Sequence, residues 1–275
     1  MRHRSFGELI LFGIMVIVVG CMTFPLVWMT YSSMKDNREI FTTPWSLPTT
    51  FSTDMFVRAW WEGRLGTYLF NSSMVTVMTV VGTLILASMA AFAFTRLRFS
   101  GRDLFFYLFL AGLVIPPQTF VIPLFVMLRR IGILDTRLAL IVPYIASGLP
   151  LAIFILHAFF STLPRELDEA ATIDGCGYFT IYWRIILPIA KPALATVAVF
   201  TALSAWNEFL FAMLFVRDPA LRTLPIGLYV FYGHYDINYQ MLFSGLTIAT
   251  LPLLVFYAFF HRYIMEGLTL GALKG

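Results

Sequence analysis

The sequence predicts an all-α membrane protein with six transmembrane helices. Hydrophobic residues make up 59% of the 275 positions and charged residues only 12%, where soluble domains carry about 25% charged residues. The few charges also leave uncharged runs of about 20 residues or more, each long enough to cross a bilayer as a helix. A soluble chain of this length could not hide so much apolar surface, so most of it must face lipid or other membrane helices.

The expected spans lie at about 9–33, 68–95, 104–128, 138–160, 192–216 and 241–262, in a single transmembrane domain covering 1–275. The first competes with a signal-peptide reading, because Arg2 and Arg4 precede it and Val18-Val19-Gly20-Cys21 resembles a lipoprotein cleavage box. The apolar run continues past Cys21 through Met29, which argues for a retained span. The loop after it, about 35–64, carries Pro44, Pro48 and the pair Trp60-Trp61, residues suited to the headgroup layer or to docking a receptor. The third span holds Pro116, Pro117, Gln118 and Pro123. Three prolines so close must kink or break it. A broken span commonly lines a cavity, which makes Gln118 a substrate-path candidate.

The fourth span is interrupted only by His157 and the fifth by Glu208. An intramembrane carboxylate is costly unless paired or wet. Trp206, Asn207 and Glu208 therefore have two readings. They sit beside a substrate path, or Asn207 and Glu208 tie span five to a neighbouring helix. Six spans place both termini, and the loop 161–191, on one side. Of 19 Lys and Arg residues, ten fall on that side and nine on the other. The dense turn Arg96–Arg102 leans the balance towards a cytoplasmic N-terminus, while Arg129 and Arg130 oppose it.

Several functions are disfavoured. The net charge of +4 is scattered, with no basic cluster for nucleic acid. Cys21 and Cys176 form neither a disulfide framework nor metal-ligand spacing, and His3, His157, His234 and His261 are dispersed, so no metal site is expected. The phosphate-cradling Gly-x-x-x-x-Gly-Lys-Ser/Thr pattern, His-Glu-x-x-His and Gly-x-Ser-x-Gly are absent from the sequence. No catalytic residue is expected. A self-contained secondary carrier for a small polar solute would need coupling-ion sites and usually repeated halves; the chain offers one isolated acid and no convincing repeat.

The loop 161–191 reads as a short helix with marked ends. Pro164 suits a first helical position, Arg165–Ile173 favour helix, and Gly175 can take the left-handed conformation that stops one. Glu166, Asp168 and Glu169 favour the positive end of the helix dipole. Leu167, Ala170, Ala171 and Asp174 fall on one shallow side, suited to another protein's groove or to packing on the chain itself.

The series Glu169-Ala170-Ala171, then Gly175 after three residues, then Ile185 after nine, with Leu187 and Pro188, resembles the EAA loop of ATP-binding-cassette importer permeases. Asp174 before the glycine fits the common form; Cys176 departs from the usual alanine or serine but stays small. Gly132-Ile-Leu-Asp-Thr136, Trp206-Asn207-Glu208 and the ending Gly267–Gly275 resemble the sugar-uptake branch, most closely the smaller permease of the maltose type. The resemblance covers nearly the whole chain. It implies the type I importer permease fold in a bacterial inner membrane, with both termini cytoplasmic. It implies a second homologous permease, two ATPase subunits that hold ATP and Mg, and an extracytoplasmic sugar-binding protein as partners. This chain would bind no cofactor. The helix around Glu169–Asp174 would be the coupling helix: Glu169 the polar ATPase contact, Ala170 and Ala171 allowing close approach, Gly175 the turn. Asp174, Ile185, Leu187 and Pro188 complete the coupling set. The tail, with Gly271, Lys274 and Gly275, would reach toward the ATPase pair.

Overall fold

The computed structural model describes residues 6–49, 51–231 and 238–272, with side chains as far as residue 258. Among these residues the secondary structure is helical, without a strand. Four helices are individually long and apolar enough to cross a membrane, and a fifth joins them if one bent pair counts as a single span. The expected third span is divided between two ten-residue helices. The chain falls into two compact units.

The first unit comprises residues 1–66 and 227–254. It contains α1 (Phe6–Ser32), α2 (Asn37–Thr42), α3 (Asp54–Trp61) and the first part of α14 (Tyr239–Ala272). Most of α1 presents its apolar side chains outward, from Leu9 to Val27. Its C-terminal end is held by polar groups. The Trp28 indole N–H donates to the Pro44 carbonyl at 2.8 Å. The fully buried Lys35 ammonium donates to the carbonyls of Thr43 at 2.8 Å and Pro44 at 3.2 Å. Phe243 of α14 meets the Trp28 ring edge-on, and the Gln240 N–H donates to Asn37 Oδ1. Trp61 on α3 is 75% exposed.

The second unit comprises residues 67–226 and 255–275. Its membrane helices are α4 (Leu65–Arg96), α5 (Arg102–Ala111), α6 (Val121–Arg130), α7 (Leu138–Phe160), α11 (Lys191–Asn207) and α12 (Leu210–Phe215). The loop helices α8 (Glu166–Ile173), α9 (Tyr178–Ile181) and α10 (Leu187–Ile189) lie between α7 and α11, and α13 (Leu224–Val230) follows α12. Helix α7 is the axis, packed against α11, α5 and α12. Its C-terminal half, with Ile153, Leu156 and Phe160, builds one core with Ala87, Ala91 and Phe92 of α4. Its N-terminal half, with Leu140 and Tyr144, builds a second with Leu128, Phe211 and Phe215.

Proline chemistry sets the breaks. The expected span 104–128 appears as α5 and α6, with a 3-10 turn at Pro117–Phe120 leading into α6. Pro116 itself is extended, as the residue before a proline tends to be. Further on, Pro188 and Pro192 withdraw two backbone donors four residues apart. The ladder before Pro188 widens to a π turn at Tyr182–Ile186, where the Leu187 N–H reaches the Tyr182 carbonyl. At Ala190 the stretch Tyr178–Ile189 meets α11 at 77°. The expected span 192–216 is also interrupted: α11 ends at Asn207, Glu208 is extended, and α12 begins at Leu210.

Opposite the α8 loop, a polar knot ties three segments together. Asn71 of α4, fully buried, accepts from the Arg137 guanidinium at 2.9 and 3.2 Å. Its amide donates to the carbonyls of Ala220 and Arg222. Asp135, at φ 60°, accepts from the backbone N–H groups of Arg217 at 2.8 Å and Asp218 at 3.0 Å, while its own N–H donates to the Phe215 carbonyl. Those N–H donors hold the Asp135 carboxyl below its ordinary value of 3.8.

A carboxyl depressed on folding contributes stability above its unfolded pKa and loses it as pH falls through the folded one. Thermal stability in detergent should therefore be insensitive to Asp135 between pH 7 and pH 5 and should lose its contribution only at more acidic pH. Asp135→Ala should lower stability at pH 7 by about 1 kcal/mol, as removal of a helix-cap acceptor does, whereas Asp135→Asn keeps an acceptor and the αL tolerance and should cost less. Equal melting temperatures for all three proteins at pH 7 would show the knot to be decorative.

Candidate functional site

The loop between α7 and α11 follows from its residue types. Helix α8 begins at Glu166, two residues beyond Pro164, and carries Glu166, Asp168 and Glu169 in its first turn. It stops where a left-handed residue is required. Gly175 sits at φ 80°, its N–H donates to the Thr172 carbonyl at 3.0 Å, and the Cys176 N–H donates to the Ala171 carbonyl at 2.9 Å. These are the paired bonds that close a helix C-terminus on a glycine.

Helix α8 has two faces, and they divide the sequence motif. Ala171 is buried in the core of its own unit, beside Ile181, Tyr182 and Ile186. Its small side chain packs on its own chain, the second of the two roles that this side of the helix suits. Glu169, Ala170, Asp174 and Gly175 are exposed. So are Ile173 at 86% and Phe179 at 75%, together with Tyr178 and Trp183. The outward surface of the loop is therefore a carboxylate-bearing edge beside bare apolar side chains. Ile185 and Leu187 are half-buried against the core and Pro188 is exposed. Motif residues at this end shape the π turn and the bend more than they present an outward face.

The loop is fastened to α4 by a row of side chains four residues apart: Ser88, Phe92 and Arg96. The Ser88 and Tyr182 hydroxyls share a hydrogen bond of 2.8 Å, and the Phe92 and Tyr182 rings lie 5.3 Å apart between centroids. Arg96 Nη2 donates to the Leu163 carbonyl at 3.1 Å. Its Nε lies 3.0 Å from Asp168 Oδ2, the two side chains being 5% and 20% exposed. Sequence reasoning treated Arg96 only as a topogenic charge and Asp168 only as a dipole partner. The available signal was the four-residue spacing along α4, which puts Ser88, Phe92 and Arg96 on one ridge.

Gln118 and Glu208, far apart in sequence, line one cavity of about 160 Å³. Thr79, Tyr144, Ser147, Thr201 and Ser204 also line it, five hydroxyl-bearing residues beside apolar ones. The Thr79 hydroxyl is buried and has no hydrogen-bond partner among the described residues. Glu208 is already committed. Its carboxylate accepts from the Phe211 N–H at 2.8 Å, the Ala212 N–H at 3.1 Å and the Tyr144 hydroxyl at 2.5 Å. It caps α12 across the break and ties span five to α7. Trp206 is buried and does not line the cavity; Asn207 is exposed, with its amide donating to the Leu203 carbonyl. Gly271 lies in the last turn of α14, and Lys274 and Gly275 lie outside the described residues. Among the described residues there is no group of three or more His, Cys, Asp or Glu side chains placed to hold a metal ion.

The described residues form a proline-broken, multi-span helical membrane chain with a loop docked on its own membrane helices. The comparisons specify its family. Residues 83–269 match the family of binding-protein-dependent transport system inner membrane components, and the chain belongs to that family. It is 35% identical over 272 residues to the diacetylchitobiose uptake system permease protein NgcG of Streptomyces coelicolor, covering 98% of this chain and 88% of that one. It is 36% identical over 271 residues to the trehalose/maltose transport system permease protein MalG of Thermococcus litoralis, covering 97% and 96%. The fold matches a chain in the crystal structure of a bacterial ABC transporter involved in the import of the acidic polysaccharide alginate. The TM-score is 0.83 at 22% identity, over 96% of this chain and 99% of that one. The protein is thus an ABC-transporter permease of the multi-pass inner-membrane kind.

Glu208→Ala should free two backbone donors and the Tyr144 hydroxyl together, lowering stability by about 2–4 kcal/mol at the usual cost of unsatisfied buried donors. Glu208→Gln retains an acceptor and should be milder. Melting temperatures in detergent read the difference; an unaltered value for the alanine variant would move Glu208 from a structural role to a cargo-binding one.

Proposed function

We propose that this chain is the permease subunit of an ATP-driven, binding-protein-dependent importer of sugars or related carbohydrates. It would work beside a second, homologous permease, two cytoplasmic ATPase subunits that hold ATP and Mg, and an extracytoplasmic sugar-binding protein. The observation that carries this reading is the exposed face of α8, where Glu169, Ala170, Asp174 and Gly175 of the EAA spacing stand outward beside Ile173 and Phe179. The printed functions of the relatives, which move diacetylchitobiose and trehalose or maltose, support carbohydrate as the cargo class.

On this reading the loop 161–191 is cytoplasmic, as are both termini, and α8 seats in a cleft of the ATPase. Closure of the ATPase pair on ATP would drag α8 and switch the permease from inward- to outward-facing as rigid bodies. Glu169 is the polar contact, Ala170 permits close approach, and Gly175 with Asp174 ends the helix at a fixed angle. The tail residues Gly271, Lys274 and Gly275 reach toward the same partner. Gln118 is the path residue that the hydroxyl-lined cavity favours, with Glu208 acting mainly as its wall.

The test is uptake of labelled maltose, trehalose and diacetylchitobiose into proteoliposomes holding both permeases, with the ATPase, ATP and binding protein present or omitted singly. Uptake should require all of them. Ion-gradient-driven uptake by this chain alone would overturn the importer reading in favour of a secondary carrier. In the complete system Gly175→Pro, which cannot adopt φ 80° or supply the N–H to Thr172, should abolish coupled uptake while ATP hydrolysis and membrane insertion persist. Undiminished uptake per ATP in that variant would remove the loop from the coupling pathway.

A further inference from the structure

Two consecutive acids on α8 face opposite ways. Glu169 is exposed, whereas Asp168 turns inward to Arg96, on the last turn of a 32-residue membrane helix. The Arg96 guanidinium also donates to Leu163, in the turn where α7 ends and the loop begins. One side chain therefore links the end of α4, the exit of α7 and the first turn of α8. Arg96 Nε and Asp168 Oδ1 make no hydrogen bond among the described residues, so Asp168 is held to Arg96 by charge at 3.0 Å, while the Leu163 carbonyl anchors the guanidinium. One and two turns further up α4, Phe92 and Ser88 hold Tyr182 on the far limb of the loop.

We propose that the Arg96–Asp168 ion pair is the strut that makes α8 and α4 move as one body, so that Arg96 and Asp168 are positioning residues for energy coupling. The inference rests on the reading of α8 as the ATPase-docking helix. Force delivered to the outward face of α8 enters the membrane through Asp168 and Arg96. A nearly buried guanidinium–carboxylate pair resists separation because parting leaves each charge poorly solvated. Its orientation is set by the Leu163 carbonyl, which accepts from Nη2 and holds the planar guanidinium with Nε 3.0 Å from the Asp168 carboxylate. Without it, α8 would remain joined to the membrane helices by an apolar core and one Tyr–Ser bond, contacts that permit sliding. The pair fixes α8 against rotation about its own axis, because Asp168 lies beside the buried Ala171 on the inward face.

The experiment uses the complete transporter with its ATPase and binding protein, and with Cys21 and Cys176 replaced by serine. Spin labels are placed at Ile85→Cys on α4 and Thr172→Cys on α8. The distance between them is measured without nucleotide and with ATP under hydrolysis-blocking conditions. A separate Glu169→Cys variant, paired with cysteines on the ATPase surface, reads docking by cross-linking. With the native pair, the label distance should be narrow and equal in the two states. Arg96→Asp and Asp168→Arg, each alone, should broaden it and lower labelled disaccharide moved per ATP by roughly tenfold, within the range that coupling networks carry. The double exchange Arg96→Asp with Asp168→Arg should restore both, and the cross-link should form in all four proteins.

Single variants that keep the native distance and stoichiometry would overturn the strut. So would singles that also lose the cross-link and are not restored by the exchange, which would mark the pair as needed only for folding. Failure of the docking reading looks different: the Glu169→Cys cross-link would then be missing with the native pair in place.

Discussion

The constraint on which this structure depends is that a backbone broken inside a membrane exposes donors and acceptors that lipid cannot satisfy. Prolines and the extended Glu208 interrupt the expected crossings, and two of the breaks are repaired by a named group. At Glu208 the repair is the side chain itself, which bonds the first free N–H groups of α12 and a tyrosine on α7. Before Pro188 the ladder widens by one residue, so the Tyr182 carbonyl still finds a donor. At the end opposite the α8 loop, Asp135 and Asn71 take up the N–H and carbonyl groups of the segment after α12. A repaired break fixes an angle or encloses a cavity that a straight helix cannot.

The fold class was legible because lipid imposes a crude rule on composition, and a crude rule survives without knowledge of packing. The break at Pro116 was legible for a different reason: proline acts locally, through a missing donor and a fixed φ. The turn at Gly175 was legible on the same grounds. Partnerships between distant residues were not. Nothing in the order of residues says that Asp168 turns to Arg96 while Glu169 turns away, since both are acids in one first turn and the choice is made by where α8 lies on α4. Glu208 was readable as costly and in need of partners, but the partners needed the fold. They include backbone groups three and four residues ahead, visible only once the helix is known to stop at Asn207. The inward row Ser72, Thr76, Thr79 and Thr83 on α4 was missed because its hydroxyls look ordinary in a membrane sequence until burial is known.

The two ends of α7 are built differently, and the difference bears on how a switch can work. The end near α12 is held by the bonds that Asn71 donates to backbone carbonyls and Asp135 accepts from backbone N–H groups, with Arg137 donating to the Asn71 side chain. The α8 end is held by an apolar core, one tyrosine hydroxyl, one ion pair and the Arg96 bond to the Leu163 carbonyl. Apolar contacts are non-directional and tolerate sliding, so the directional part of the α8 attachment falls largely to a few polar atoms.

A partner that binds the loop can shift the permease between states only through a difference in binding free energy between those states. That difference reaches the cargo path only if the loop's position is a function of the membrane helices' position. A loose loop would let the partner bind both states alike, and tight docking would then do no work. The geometry of α8 answers this requirement on a single turn of helix. Its outward face, with Glu169, Ala170 and Ile173, is free to meet another chain, while its inward face, with Asp168 and Ala171, is bound to helices that border the Gln118 cavity. The small Ala171 lets the inward face pack closely on its own core, and close packing is what leaves little room for the connection to yield.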